Sequence, residues 1–417
     1  MTLIEDMTEQ NPWWSGIPPD TKDTIERDIF KEISQHIGEK EALGIIGLRR
    51  SGKTTLMKQI MEYLMKKGVE GRDILYFSFD LPKNRPEDVL KEYFNSIAVR
   101  HPSERKTYVF FDEVQNVPSW SRVVKTYIDR GYPVKFFISG SSSFNILRGA
   151  GESLIGRIRI KELSPFSFGE FLKYRGISYH ISNSIPQEHG RLISEFRKYM
   201  KMGSFPESYE KDISEYLSTM VDLIFFRDII NILEIKRPNL LRELFYRVLE
   251  QSGNQVNYAN LSRETGAKYE TIISYMDYLE MAFLISRSRL YPGKISQRKK
   301  VPKIYAGDHS FMFLADVPEG RVLETIVFNH LKRKYELFYW HNSGEVDIIA
   351  GKKEPIAIEV SVSEEKKPTH ILSFMERYSA KKGYVLTIET FRKERFGNKE
   401  ISYIPAYLFL LNSSNFL

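Results

Sequence analysis

Gly47-Leu48-Arg49-Arg50-Ser51-Gly52-Lys53-Thr54 has the spacing G-x-x-x-x-G-K-[ST], and Thr55 opens an apolar-periodic run through Leu56, Met57, Ile60 and Leu64. Glycines at both ends of the loop let the backbone curl until successive N–H groups point inward, and the helix that follows adds its positive dipole end. Such a nest of donors suits the oxygens of a bound triphosphate. Lys53 contributes a point charge for the β- and γ-phosphates, and the Thr54 hydroxyl is placed to ligate Mg2+. Ahead of the loop, Ala42-Leu43-Gly44-Ile45-Ile46 reads as a buried strand, which gives the motif its strand-loop-helix setting. The expected ligands are ATP and Mg2+, held by residues Gly47 to Thr55.

Downstream, Tyr108-Val109-Phe110-Phe111 reads as a second buried strand ending in Asp112-Glu113. At the carboxyl edge of a parallel sheet the Asp112 carboxylate would lie beside the phosphate loop and share the magnesium with Thr54. Glu113 is the candidate to orient and deprotonate the attacking water, because phosphoryl transfer depends on positioning and electrostatics. Ile74-Leu75-Tyr76-Phe77-Ser78-Phe79 and Val134-Lys135-Phe136-Phe137-Ile138 supply two more strands in α/β rhythm, so the first domain is a parallel sheet covered on both faces. The second of these runs leads into Ser139-Gly140-Ser141-Ser142-Ser143, where Ser141 is the candidate sensor of the γ-phosphate.

The 417 residues exceed one ordinary domain. Hydrophobic residues make up 42% and aromatics 13%, enough for sizeable cores, which sets disorder aside. With no cysteine there are no disulfides, thiolate metal sites or thiol catalysis, as suits an intracellular chain. No apolar run reaches the length of a membrane span, and Met1 to Asn11 is acidic and polar, so the expected location is the cytoplasm. A net charge of +7 permits contact with nucleic acid without requiring it.

Residues from about 20 to 165 form the nucleotide-binding domain on this reading, after an irregular arm, Pro12-Trp13-Trp14 to Pro18-Pro19, and a helix from Thr24 to Ile37. Helical patterns dominate 166–252 and suggest a lid over the nucleotide. From Tyr258, a short helix closed by Gly266, a helix from Lys268 to Leu284 and an alternating run Ile285 to Tyr291 follow winged helix-turn-helix order. Glu270, Asp277 and Glu280 make that second helix a poor match to phosphate unless they face away. Tyr291 to Ile304 then carries Lys294, Arg298, Lys299, Lys300 and Lys303 without an acid, a basic linker able to track a DNA backbone; winged helix and linker together span 253–304.

The last unit, 305–417, places Glu324 on a helix, Asp347 on a strand and Glu359 on the next strand across the turn Gly351-Lys352-Lys353. That is the layout of a metal nuclease, in which carboxylates from adjacent strands hold magnesium and a lysine two residues after the last acid activates water. Ser361 stands where that lysine belongs, leaving Lys366 or Lys367 to reach in from the following segment.

Taken together, Gly47 to Thr55 with its double arginine, Phe111-Asp112-Glu113-Val114-Gln115-Asn116-Val117-Pro118-Ser119-Trp120, Ile138-Ser139-Gly140-Ser141-Ser142 and Gly156-Arg157 leading to Leu163-Ser164-Pro165-Phe166-Ser167-Phe168 resemble the prokaryotic, mostly archaeal, AAA-type P-loop ATPases with a C-terminal DUF4143 domain. The resemblance spans nearly the whole chain. It implies an AAA-type core in which Lys53, Thr54, Asp112 and Glu113 hold the Walker roles, a helical and winged-helix region, and a C-terminal fold related to restriction-endonuclease-like enzymes. It also makes Arg157 a candidate arginine finger acting on the nucleotide of a neighbouring subunit in a homo-oligomer.

The expected activity is ATP hydrolysis driving a conformational switch or motor, with DNA as the favoured partner. Two rivals stand beside it: a slow ATPase that regulates or scaffolds through protein contacts, and a metal-dependent nuclease acting through Glu324, Asp347 and Glu359.

Overall fold

The computed structural model describes residues 2–81, 83–117, 120–141, 154–179, 186–230, 233, 235–291, 301–342, 344–363 and 366–416. The chain divides into two compact units, Met1–Pro165 and Phe166–Leu417. Lys294, Arg298, Lys299 and Lys300, and with them Ser142 and Ser143, lie outside the described residues.

The first unit is built on a wholly parallel sheet of β1 (Ala42–Ile46), β2 (Ile74–Ser78), β3 (Thr107–Asp112), β4 (Val134–Gly140) and β5 (Ile158–Glu162), in the order β2-β3-β4-β1-β5. β1, β3 and β4 are buried along their whole length, as largely apolar strands of a parallel sheet are, and the one lysine among them, Lys135, donates to the carbonyls of His36, Glu39 and Glu41. The helix Lys53–Lys66 lays Leu56, Met57, Ile60, Met61 and Leu64 against Leu43, Ile45, Phe110 and Phe137, with the Phe110 and Phe137 rings stacked at 4.4 Å. The interleaved order matters for the site. β4 lies between the strand that carries the phosphate loop and the strand that ends in Asp112, so residues at the end of β4 stand between them.

Three local features depart from the sequence reading. β5, an alternation of apolar and charged residues, is only half-buried at the sheet edge, which hid it among loop-like signals. The expected helix from Thr24 contracts to Phe30–Gln35, because Arg27 ahead of it is buried and donates to Ser51 O and Ser164 O, both at 2.6 Å. The N-terminal arm is also more ordered than an irregular segment. Leu3–Gln10 is a helix with a capping box from Thr2 and Glu5, Asn11 pairs with both backbone groups of Tyr76 at 2.7 Å, and the indoles of Trp13 and Trp14 both donate to Ile74 O. The arm thereby closes the open edge of β2.

The second unit opens with helices, among them Phe168–Tyr174, Pro186–Met202, Ile213–Leu223 and Pro238–Glu250, and continues into a mixed sheet. Its strands are β6 (Asn254–Gln255), β7 (Ile285–Leu290), β8 (Lys303–Ala306), β9 (Leu337–His341), β10 (Glu345–Ala350), β11 (Ile356–Val360), β12 (Lys382–Thr387), β13 (Arg392–Phe396) and β14 (Lys399–Pro405), in the order β13-β14-β12-β11-β10-β9-β7-β8-β6 among the described residues. Between β6 and β7 lie the helices Tyr258–Thr265 and Tyr269–Met281, separated by Gly266 in the left-handed region. β7 runs antiparallel to β8 and parallel to β9, so the ribbon after these helices and the strands of the acidic residues belong to one sheet. Trp340, Val346, Ile349, Ala357, Phe374 and Tyr403 fill the core beneath it. Among the described residues no helix is long and apolar enough to cross a membrane.

Candidate functional site

At the end of β1 the chain turns through Gly47, whose φ is 151°; a Cβ there would lie 2.2 Å from the Leu163 carbonyl oxygen, so only glycine fits. Gly52, at φ 95°, closes the loop and starts the helix. Lys53 is buried and its ammonium donates to Gly47 O and Leu48 O, both at 3.0 Å, so the charge is held over the mouth of its own loop. Ser51 Oγ, in the same loop, is buried and has no hydrogen-bond partner. A polar atom left so in a ring of backbone donors fits an anionic ligand better than a sealed turn.

Asp112 is the focus of the site. Thr54 Oγ1 donates to Asp112 Oδ2 at 2.6 Å, Tyr76 OH donates to the same oxygen at 2.9 Å, and Ser139 Oγ donates to Oδ1. Burial pushes this carboxyl above its ordinary range and the neighbouring Glu113 pushes the same way, while the hydroxyls of Ser139, Thr54 and Tyr76 pull it back. Tyr76 in turn is held far above its usual range, first by burial and then by Asp112, and stays a donor. The carboxylate is therefore surrounded by neutral hydroxyls. A divalent cation would compensate its charge, and Asp112 with Thr54 forms an oxygen donor set of the kind Mg2+ takes.

Glu113 follows with φ 56° and ψ 39°, a left-handed conformation unusual for glutamate. Ser139 Oγ accepts its backbone N–H at 3.1 Å, and the Gln115 side-chain amide donates to both Glu113 Oε2 and Ser141 Oγ. The structure thus gathers Lys53, Thr54, Asp112, Glu113 and Ser141 at one edge of the sheet. Ser139, Tyr76, Gln115 and Arg27 join them unforeseen. Ser139 escaped notice because β4 extends past its apolar run, and Tyr76 because a tyrosine inside a hydrophobic strand looks like core. Arg157 lies elsewhere: its carbonyl accepts from Ala42 N at the opposite end of β1, and its Nε donates to Asp129 Oδ1 at 2.6 Å. It takes no part in its own chain's phosphate loop.

In the second unit the acids are arranged around lysines. Lys303, counted with the basic linker from the sequence, is instead fully buried in β8, with Nζ 2.7 Å from Glu345 Oε1, 2.8 Å from Glu324 Oε1 and 3.1 Å from Asp347 Oδ1. Burial works against its charge, but Tyr305 and the carboxylates of Asp347, Glu324 and Glu345 outweigh it and hold the ammonium well above its ordinary value. Burial raises Glu324 to about 7, whereas Asp347, despite burial, is held below its ordinary value by Lys303 and Lys366. Glu359 is raised to about 7 by burial and has Lys366 Nζ at 3.1 Å. Among the described residues no group of three or more acids or histidines is placed to hold a metal ion. Glu324, Asp347 and Glu359 do not converge on a shared cation position; they divide between two lysines.

The first unit is an α/β domain with a parallel-sheet P-loop core. Comparison with known proteins carries this further: residues 39–172 match the AAA domain family, 193–316 the domain of unknown function DUF8612, and 319–409 the domain of unknown function DUF4143. The chain thus carries an AAA domain followed by a C-terminal DUF4143 domain. Its relatives include an uncharacterized protein of Methanocaldococcus jannaschii, 29% identical over 79% of this chain and 77% of that one, and an uncharacterized protein of Haemophilus influenzae, 28% identical over 93% of this chain and 99% of the other. Among solved structures, AMPPCP-bound DnaA from Aquifex aeolicus is similar at 15% identity over 64% of this chain and 92% of that chain, with a TM-score of 0.28, too low to carry an argument.

Proposed function

We propose that the chain binds ATP with Mg2+ at Gly47–Thr55 and hydrolyses it, and that turnover drives a conformational change acting on DNA. The observation that carries the first part is the 2.6 Å bond between Thr54 and Asp112, which joins the loop after β1 to the end of β3 across an intervening strand. No local sequence constraint requires that meeting; a shared divalent ion gives it a purpose.

In this reading the loop N–H groups and Lys53 bind the phosphates, and Thr54 and Asp112 hold the magnesium. The ion, when bound, neutralises phosphate charge as it develops. Glu113 accepts the proton of the attacking water, and Gln115 keeps its carboxylate in line with Ser141 at the place of the γ-phosphate. Arg157, directed away from this loop, is the residue left for a neighbouring subunit's nucleotide. Lys53→Ala should all but abolish turnover, and full ATPase activity in that variant rejects the assignment.

The DNA part draws support from the helix Tyr269–Met281. Arg287 on β7 pairs with Asp277 at 2.7 Å and with Glu280, so two of the acids that made this helix a poor match to phosphate are already neutralised. Lys268, Glu270 and Tyr269 lie exposed at its start. Double-stranded DNA should bind with an affinity that falls steeply with salt, and neutralising Arg298, Lys299 and Lys300 should flatten that slope by about one unit for each phosphate no longer paired with a cation. Absence of binding at low salt removes DNA as the partner and leaves a module that works through protein contacts.

A further inference from the structure

The resemblance to restriction-endonuclease-like enzymes implies a divalent metal among Glu324, Asp347 and Glu359, and the residues present do not fit one. We infer that Lys303 is the resident cation of this cluster: its ammonium fills the position a divalent ion would need, so the site is a closed ionic lock and takes no metal.

The stereochemistry supports the inference atom by atom. An ammonium has three N–H donors, and Lys303 Nζ meets three carboxylate oxygens, Glu345 Oε1, Glu324 Oε1 and Asp347 Oδ1, at 2.7, 2.8 and 3.1 Å. Those are lengths of charge-assisted hydrogen bonds, longer than the ~2.1 Å of magnesium to oxygen. The second oxygens are engaged as well. Asp347 Oδ2 accepts the Val360 N–H at 3.0 Å, Glu324 Oε2 accepts from Arg321 at 3.2 Å, and Glu345 Oε2 accepts from Gln255 at 3.1 Å. Tyr305 OH adds a further donor to Glu324 Oε1 at 2.9 Å.

The fold gives the ammonium no exit. Lys303 is in β8, hydrogen-bonded between β6 and β7, with its side chain wholly buried. Displacing it would strand an unpaired charge in the interior, a change a dissolved ion cannot offset. Glu359 lies apart from this ammonium: its Oε2 is 3.1 Å from Lys366 Nζ, and both of its buried oxygens are without a hydrogen bond. The cluster links β8, the helix Glu319–Leu331 and β10, three elements whose apolar packing alone would leave these acids unsatisfied.

The test uses the full-length, nucleotide-free protein and Mn2+ as the probe. Wild type should show the same Mn2+ binding by electron paramagnetic resonance as Asp347→Asn, and millimolar Mn2+ should shift the melting temperatures of the two by the same amount. Lys303→Met, which keeps the stem and removes the charge, should melt roughly 10 °C lower, as loss of one partner from a buried ion cluster predicts, and Mn2+ should restore a large part of that drop. Mn2+ bound by wild type and lost in Asp347→Asn would overturn the inference, as would a folded Lys303→Met that Mn2+ leaves unchanged. If Lys303→Met does not fold, the comparison of wild type with Asp347→Asn decides alone.

Discussion

Two buried carboxylates, Asp112 in the first unit and Asp347 in the second, are held by opposite means. Asp112 is bound by the hydroxyls of Thr54, Tyr76 and Ser139, all neutral, and burial raises its proton affinity. Asp347 is bound by the ammonium of Lys303 and a backbone N–H, and its proton affinity is lowered. Neutral donors position a carboxylate without cancelling its charge, so the first site still calls for a cation. A fixed lysine cancels the charge outright and the second site is closed. Acidic residues at metal-site spacing therefore say little until the nearest cation is known.

The contrast is sharpest where the effects are largest. Lys53→Ala should lower ATP turnover by a factor on the order of 10²–10³ or more, read by phosphate release, since it removes a fixed charge from the phosphates. Glu113→Gln should keep ATP affinity but cost about 10²–10⁴ in turnover; an equal loss of affinity, measured by calorimetry, would show that Glu113 shapes the loop instead of serving the water.

Proton linkage separates the two regions further. Glu359 has a folded value of about 7 against an ordinary 4.5, so the fold favours its protonated form. That contribution is whole below 4.5 and is lost as the pH rises through 7, on the order of 3 kcal/mol in all. Hydrogen-exchange protection of β11, corrected for intrinsic rate, should decline between about pH 5 and pH 8 in wild type and decline less in Glu359→Gln, where Glu324, also raised to about 7, still titrates in that window. A flat wild-type profile would contradict the burial argument.

The smallest effect expected is that of Tyr76→Phe. It removes one hydroxyl that stabilises the ionised Asp112, at a cost of about 1 kcal/mol, so the acid limb of ATPase activity should move to higher pH and the Mg2+ requirement should rise a few-fold. An unchanged Mg2+ curve on the acid limb would place Tyr76 outside the metal-binding function.

Much of the first unit could be read from the chain because four strands are largely apolar runs, with Lys135 the one charge inside them, and the phosphate loop is contiguous. The glycines, Lys53 and Thr54 carry their geometry in their spacing. β5 was not legible, since Arg159 and Lys161 on an edge strand look like loop residues. Tyr76 and Ser139 became visible as site residues only through strand register, which sets both beside Asp112. Lys303 shows the limit most clearly. Its sequence neighbours are basic, so local reading made it a solvated linker residue, while pairing of β8 with β7 buries it against acids 21 to 44 positions away. Long-range partners of a charge are fixed by topology, and no window of sequence contains them.

Which carboxylate accepts a divalent ion is the central question. Mn2+ titrated into the full-length protein with a non-hydrolysable ATP analogue, counted by electron paramagnetic resonance, tests this directly. One nucleotide-dependent Mn2+ per chain, lost in Asp112→Asn and untouched in Asp347→Asn, is the predicted result; Mn2+ that survives Asp112→Asn and disappears in Asp347→Asn would contradict it.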